Sequence, residues 1–270
     1  MKIIEYFIQS KYDDSTLCED GIFHNEHFIA VVDGVTSKGN IKWDGHTSGY
    51  QAKEIILKGL GELKGKETAF EVLRHLNTLL YKAYVNKVDF FQHHSEERLQ
   101  ATLVIYSVYH RQIWCFGDCQ FMIKEAVFAD EMKIDTLVAE VRSVYLQLLM
   151  KQGKTVDELC IQDPSYDVIF PIIQRQFLLS NCDDEYGFSV LDGFCSDFGK
   201  AVIKDVPQNS IVVLASDGYP KLMPTLKSSE DELEAIRIND PLCIRLFKST
   251  RGWTNGKKSL DDRAYIRFQT

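Results

Sequence analysis

The chain reads as an α+β fold in which antiparallel sheets are covered by helices. Three observations predict it. Apolar runs rich in β-branched and aromatic residues recur at the start, middle and end of the chain. Long helical spacing falls in two blocks, 47–88 and 131–152. The order is therefore strands, two helices, strands, a helix, strands, and not the βαβα alternation of a doubly wound parallel sheet.

Residues 2–9 alternate weakly and predict a strand, and the apolar run from His27 to Val32 predicts another, punctuated by Asp33-Gly34. A helix is expected over 47–63 from Tyr50, Ala52, Ile55, Ile56, Leu60 and Leu63. A second, over 68–88, carries Phe70, Val72, Leu73, Leu76, Leu79, Leu80 and Tyr84 on one stripe, with Gly59, Gly61 and Gly65 marking the break between them. Strands follow at 101–109, 112–116 and 121–124, then a helix over 131–152. The stretch 153–185 has mixed character, so 125–190 is read as an insertion or flap within a single domain, 1–270. Strands are expected again at 187–191, 200–206, 211–215 and 263–268, with short helices at 229–238 and 241–247.

The 270 residues are 45% hydrophobic and 26% charged, an ordinary globular composition with enough chain to bury a large core. A net charge of −8 argues against a nucleic-acid partner. The one dense basic cluster, Arg251 to Lys258, reads as a solvated loop. Seven cysteines in scattered positions, with no Cys-x-x-Cys, predict neither a disulfide framework nor a zinc cage but a reducing, cytoplasmic compartment. Cys115 and Cys119 are read as small buried hydrophobes. The N-terminus lacks a signal-peptide pattern, and no stretch of about 18 apolar residues would span a membrane.

Acidic signatures punctuate the strand-like runs: Glu19-Asp20, Asp33-Gly34, Gly117-Asp118, Asp217-Gly218 and Asp261-Asp262. An Asp-Gly pair alone is a hairpin turn. After Asp33-Gly34, however, comes the loop-like Val-Thr-Ser-Lys-Gly-Asn, and after Asp217-Gly218 comes Tyr219-Pro220. In both cases the strand runs up to the acid and stops. Acids at strand ends are placed to aim oxygen ligands at one point, and carboxylate oxygens suit hard divalent cations.

Taken in order and spacing, these five signatures resemble the type 2C metal-dependent protein phosphatases, over residues 15 to 268. The resemblance implies a four-layer αββα sandwich of two antiparallel sheets flanked by helices. It implies two Mg²⁺ or Mn²⁺ ions, with Asp33 bridging both, the Gly34 carbonyl binding one, and Asp217 and Asp261 holding the other. Glu19 and Asp20 would contact the site, Glu19 through water, and Asp118 would serve a weaker third ion with Asp217. The implied activity is hydrolysis of phosphoserine and phosphothreonine in a phosphoprotein partner, as in signalling, by a water that the ions activate.

The pattern also departs from the family. The arginine that clamps phosphate in many relatives falls at Ser15, the histidine that follows Asp-Gly in some is Val35, and Cys119 and Gln120 replace a serine and an arginine. Lys38 and Lys11 are candidate substitutes for the clamp. The missing arginine keeps a second expectation open, a small phosphoester as substrate, and a third, a regulatory or binding module of the same fold. Walker A, Gly-x-Ser-x-Gly and His-Glu-x-x-His motifs are all absent from the sequence.

Overall fold

A computed structural model describes residues 1–12, 14–36, 38–254 and 257–270. The first strands are β1 (Lys2–Gln9), β2 (Asp20–His24) and β3 (Phe28–Gly34), followed by α1 (Ser48–Glu62), α2 (Ala69–Ala83) and α3 (Val88–His93). Strands β4 (Ala101–Ser107), β5 (Gln112–Phe116), β6 (Gln120–Ile123) and β7 (Ala126–Phe128) come next. Helices α4 (Lys133–Lys151), α5 (Val156–Ile161) and α6 (Ser165–Arg175) lead to β8 (Val202–Asp205), β9 (Ile211–Ala215), α7 (Leu226–Asn239) and β10 (Arg263–Gln269). The strands form two five-stranded sheets, β1-β10-β9-β6-β7 and β2-β3-β4-β5-β8, and every pairing is antiparallel.

Strand periodicity sets the layers. On β3, Ile29 and Val31 point into the space between the sheets, where they pack with Val104 and Cys115 and with Leu214, Ile266 and Phe268 of the other sheet. The alternate residues Phe28, Ala30 and Val32 face Ile56, Leu60, Leu73 and Leu76 of α1 and α2. Met122, Val213 and Tyr265 cover the far face of the other sheet together with Tyr219, Leu222 and Leu226, the first residue of α7. A strand buried on both faces has no polar side to alternate with, which is why β3 reads as one apolar run. Each large aliphatic or aromatic side chain buried here stabilises the fold by about 1.5–3 kcal/mol.

Helix boundaries follow their caps. Thr47 and Thr68, the expected first residues, are the N-caps of α1 and α2, each accepting a backbone N–H through its hydroxyl. The second helix ends at Ala83 and not at 88, because Val85 takes a left-handed φ of 44° before the chain restarts as α3. Strand β2, not assigned from the sequence, pairs along β3.

Two expected elements do not form. Residues 187–191 make only isolated bridges, Ala101 with Leu191 and Ser180 with Phe188, before Asp192 turns the chain by accepting the amides of Phe194 and Cys195. Residues 241–247 are not helical. The Asp240 carboxylate accepts the amides of Ile244, Arg245 and Leu246, and Cys243 has φ 51°, so the donors a helix would use are taken by a side chain.

The stretch 153–185 holds α5 and α6, with α6 packed on α4 through Ile134, Val138, Ile169 and Ile173. Arg142 of α4 is fully buried and ties this unit to the C-terminal segment: it donates to the Leu242 and Ser249 carbonyls and to Asp163. All seven cysteines are free thiols, Cys115 and Cys119 among the buried ones. No helix among the described residues is long and apolar enough to cross a membrane.

Candidate functional site

Strand pairing joins the first signatures. Antiparallel β2 and β3 set Asp20 directly opposite Asp33, and Asp33 stands opposite Thr102 of β4. Opposed residues on neighbouring strands have Cβ atoms about 4.5–5.5 Å apart. The Thr102 hydroxyl donates to Asp118 Oδ1 at 2.7 Å, which draws the β5–β6 turn to the same end of the sheet. In the other sheet β9 and β10 are neighbours, so Asp217, beyond the end of β9, and Asp261-Asp262, ahead of β10, emerge side by side.

Two glycines let these loops close up. A Cβ on Gly218 would lie 2.0 Å from the Asp262 carbonyl oxygen, and one on Gly34 would lie 2.2 Å from the Gly49 carbonyl oxygen. No side chain fits at such distances, so each glycine follows its aspartate for packing and not for a turn. Asp44-Gly45 is the contrast. Both residues have positive φ, 49° and 88°, and Trp43 pairs with His46 across them, as in a type I′ hairpin.

A cavity of about 430 Å³ is lined by Asp20, Asp33, Asp118, Asp217, Asp261 and Asp262, and by Gly34, Lys11 and Lys38. Five separate chain segments thus supply the acids expected from the sequence. Glu19 is the expected site residue that does not line it. Its Oε2 accepts from Lys11 Nζ at 2.8 Å and from the Thr36 hydroxyl at 2.7 Å, and its Oε1 accepts from the Thr47 hydroxyl at 2.6 Å. Asp262 is mainly a clasp, its two oxygens accepting the backbone amides of Lys11 and Glu19 at 2.6 and 2.9 Å.

The acids divide into two electrostatic groups. In the first, burial and mutual repulsion push the carboxyl groups up. Asp20 is raised by burial and by Asp262 and Asp217, with the Ser216 hydroxyl acting the other way. Asp33 is raised by burial and by Asp20, Asp217 and Asp118. Asp118 is raised by burial, against its hydrogen bond from Thr102. Asp217 faces solvent through the cavity but lies among these charges, and is pushed up to about 7 by desolvation and by Asp118 and Asp261. In the second group the acids are paired. Burial would raise Asp261, but Arg251, whose Nη1 is 2.8 Å from its Oδ2, and Lys11, 3.4 Å from its Oδ1, hold it below the usual value.

Carboxylates crowded to about 4 Å repel by roughly 4 kcal/mol per pair at an effective dielectric near 20. Protons or cations must relieve this. Among the described residues, no three acid, histidine or cysteine side chains stand as a ready-made metal cage. The donor chemistry nonetheless fits a hard divalent cation: it is oxygen only, and Asp20 Oδ2 is buried without any hydrogen-bond partner.

Two cations and an acid are among the cavity residues that escaped the sequence reading. Arg251 and Lys257, expected in a solvated loop, line the cavity, as does Asp135 of α4. Burial and Asp118 push Asp135 up to about 6, against its hydrogen bond with Gln176. The basic cluster just ahead of Asp261-Asp262 was the available signal for the first two. An acid in the first turn of a helix reads as a dipole partner, so Asp135 gave none. His46 stacks on Tyr50 with ring centroids 4.1 Å apart, and among the described residues no histidine lines the cavity.

No protein-family model matches the chain, and no curated protein does. Solved structures similar to it include RsbX in complex with magnesium, 12% identical with a TM-score of 0.48 over 99% of this chain and 98% of that one. Another is the catalytic domain of the serine/threonine protein phosphatase PstP with two manganese ions, 11% identical with a TM-score of 0.46 over all of both chains. A third is the serine/threonine phosphatase Stp1 from Staphylococcus aureus, 14% identical with a TM-score of 0.49 over 98% and 94%.

Proposed function

We propose that the protein is a metal-dependent phosphomonoester hydrolase acting on phosphoserine and phosphothreonine in a phosphoprotein. The observation that carries the reading is the convergence of Asp20, Asp33, Asp118, Asp217 and Asp261 on one cavity, four of them with carboxyl groups raised by burial and by one another. Such a cluster is stable as an anion only with cations among it. Asp33, Asp217, Asp261 and the Gly34 carbonyl would hold two Mg²⁺ or Mn²⁺ ions, Asp118 a weaker third, and Asp20 would support them, with Glu19 acting through its hydroxyl and Lys11 partners. When bound, the ions supply an activated water and neutralise charge at phosphorus. The chain's own part is to fix these carboxylates on paired strand ends; Asp33 and Asp217, raised by burial and crowding, would give up their protons as the ions bind. No cysteine nucleophile is needed. Cys119, the cysteine beside Asp118, is buried and its thiol is pushed far up by burial and by Asp33, which leaves it unreactive.

A small phosphoester is the second reading. The cavity walls include Met132, Tyr166, Ile173, Phe177 and Phe188 from the 130–190 region, an apolar lining suited to a compact organic group.

The test is hydrolysis of para-nitrophenyl phosphate at pH 7–8 with EDTA, Mg²⁺ or Mn²⁺, alongside calorimetric Mn²⁺ titration. Activity that appears with Mn²⁺, vanishes with EDTA and is abolished in Asp33→Asn and Asp217→Asn is the expected result. Wild-type turnover in either variant would remove the two-ion assignment. Metal binding with no turnover on aryl phosphates or phosphopeptides would leave a binding module.

A further inference from the structure

Besides Lys11, three cations share the cavity with the carboxylates. Lys38 comes from the loop after β3, and Arg251 and Lys257 come from the segment ahead of β10. Arg251 is anchored on Asp261 at 2.8 Å. A guanidinium has five N–H donors in a planar fork, so that pairing leaves donors for another anion. The two lysines differ from other enclosed cations of the molecule. Lys11 has Glu19, Arg98 has Asp192 and Arg142 has Asp163, each at 2.6–2.8 Å. Lys38 and Lys257 are partly buried, and among the described residues neither side chain has a hydrogen bond or a salt bridge. Burial and the neighbouring Arg251 push both ammonium groups down to about 8. Asp261 acts on both in the opposite sense but forms an ion pair with neither.

We propose that Arg251, Lys38 and Lys257 form the clamp for the phosphate dianion of the substrate, an inference that rests on the phosphoester reading above. A dianion would give both lysines the direct partner that neither has among the described side chains. Arg251 takes it through its fork and the lysines as point charges. Ser15, the place of the clamping arginine in the resemblance, begins an exposed single turn, Ser15–Leu17, that does not line the cavity. The segment ahead of β10, with Lys38, would do this work in its stead. Lys11 is excluded from the clamp because its ammonium is already held by Glu19 and Thr36, with Asp261 at 3.4 Å.

The experiment is calorimetric titration of the Mn²⁺-loaded protein with inorganic phosphate, run beside aryl-phosphate kinetics, for wild type, Lys38→Gln, Lys257→Gln and Lys38→Arg. Each Gln variant should weaken phosphate binding about tenfold and raise KM by a similar factor. Their Mn²⁺ affinity should be equal to or tighter than wild type, and Lys38→Arg should recover most of the loss. A merely structural role would lower Mn²⁺ affinity together with phosphate affinity and would not be rescued by arginine. If wild type hydrolyses aryl phosphate and both Gln variants keep wild-type phosphate affinity, the clamp is wrong and the hydrolase reading stands. If phosphate binding depends on these lysines but no metal yields turnover, the clamp stands and the hydrolase reading falls.

Discussion

Lys11 Nζ lies 2.8 Å from Glu19 Oε2, with the two side chains 7% and 3% exposed. Asp261 and Asp262 are within 3.5 Å of the same ammonium. Burial alone would lower this lysine's pKa, and the three carboxylates raise it well above its ordinary value instead. Lys11 is therefore the fixed counter-ion of the paired half of the acid cluster. Lys11→Met should cost the metal-free protein about 3–5 kcal/mol, the usual penalty for orphaning one partner of a buried pair. Urea unfolding in EDTA measures it, and a loss under about 1 kcal/mol would show that solvent already screens the site.

The tight approach of the 217–218 and 261–262 loops makes Gly218 sensitive in a way that Gly45 is not. Gly218→Ala must push against the Asp262 carbonyl oxygen, so a loss on the order of 2–3 kcal/mol is expected, with weaker Mn²⁺ binding as Asp217 and Asp261 separate. Gly45→Ala meets no atom within 4 Å and bears only its positive φ, at about 1 kcal/mol. Equal effects of the two substitutions on stability and on Mn²⁺ affinity would contradict the packing argument.

The raised carboxyl groups fix a pH dependence. A carboxyl whose folded pKa exceeds its unfolded value binds more protons folded than unfolded between those two values, so stability falls as pH rises through that window. For Asp135, pushed up to about 6, and Asp217, pushed up to about 7, the window opens near pH 4. Asp261, held low, contributes in the opposite sense, and its stabilisation is lost only as pH falls below about 4. In EDTA the protein should therefore be less stable at pH 7.5 than at pH 5, and Mn²⁺ should flatten the slope. Chemical denaturation at the two pH values decides it; stability that rises toward pH 7.5 without metal would be inconsistent with the crowded acids.

With no histidine on the cavity wall among the described residues, good leaving groups should be favoured. Aryl phosphates should turn over faster than alkyl phosphates by a factor on the order of 10²–10⁴, the usual contribution of a general acid. Equal rates would point to an acid in the cavity, with Asp135 the first to test through the pH profile of Asp135→Asn.

Much of the architecture was legible because it depends on local pattern. The apolar spacing of α1, the doubly buried run of β3 and the hairpin of β4 and β5 each need only neighbouring residues to declare themselves. The buried character of Cys115 and Cys119 followed from composition in the same way. The failures were places where a single side chain or dihedral overrode the pattern: Asp240 capping the amides of 244–246, Val85 ending α2, and Asp192 turning the chain after Leu191.

Sequence by itself determined which acids stand at strand ends, because a strand that stops at Asp-Gly is visible in one dimension. Tertiary structure decided how those acids are charged. Whether a carboxylate is paired, like Asp261, or crowded, like Asp217, depends on cations delivered from Lys11 and Arg251, 250 and 10 positions away from Asp261. Coulomb energy follows distance in space and local dielectric, and neither is written in the spacing of residues along the chain.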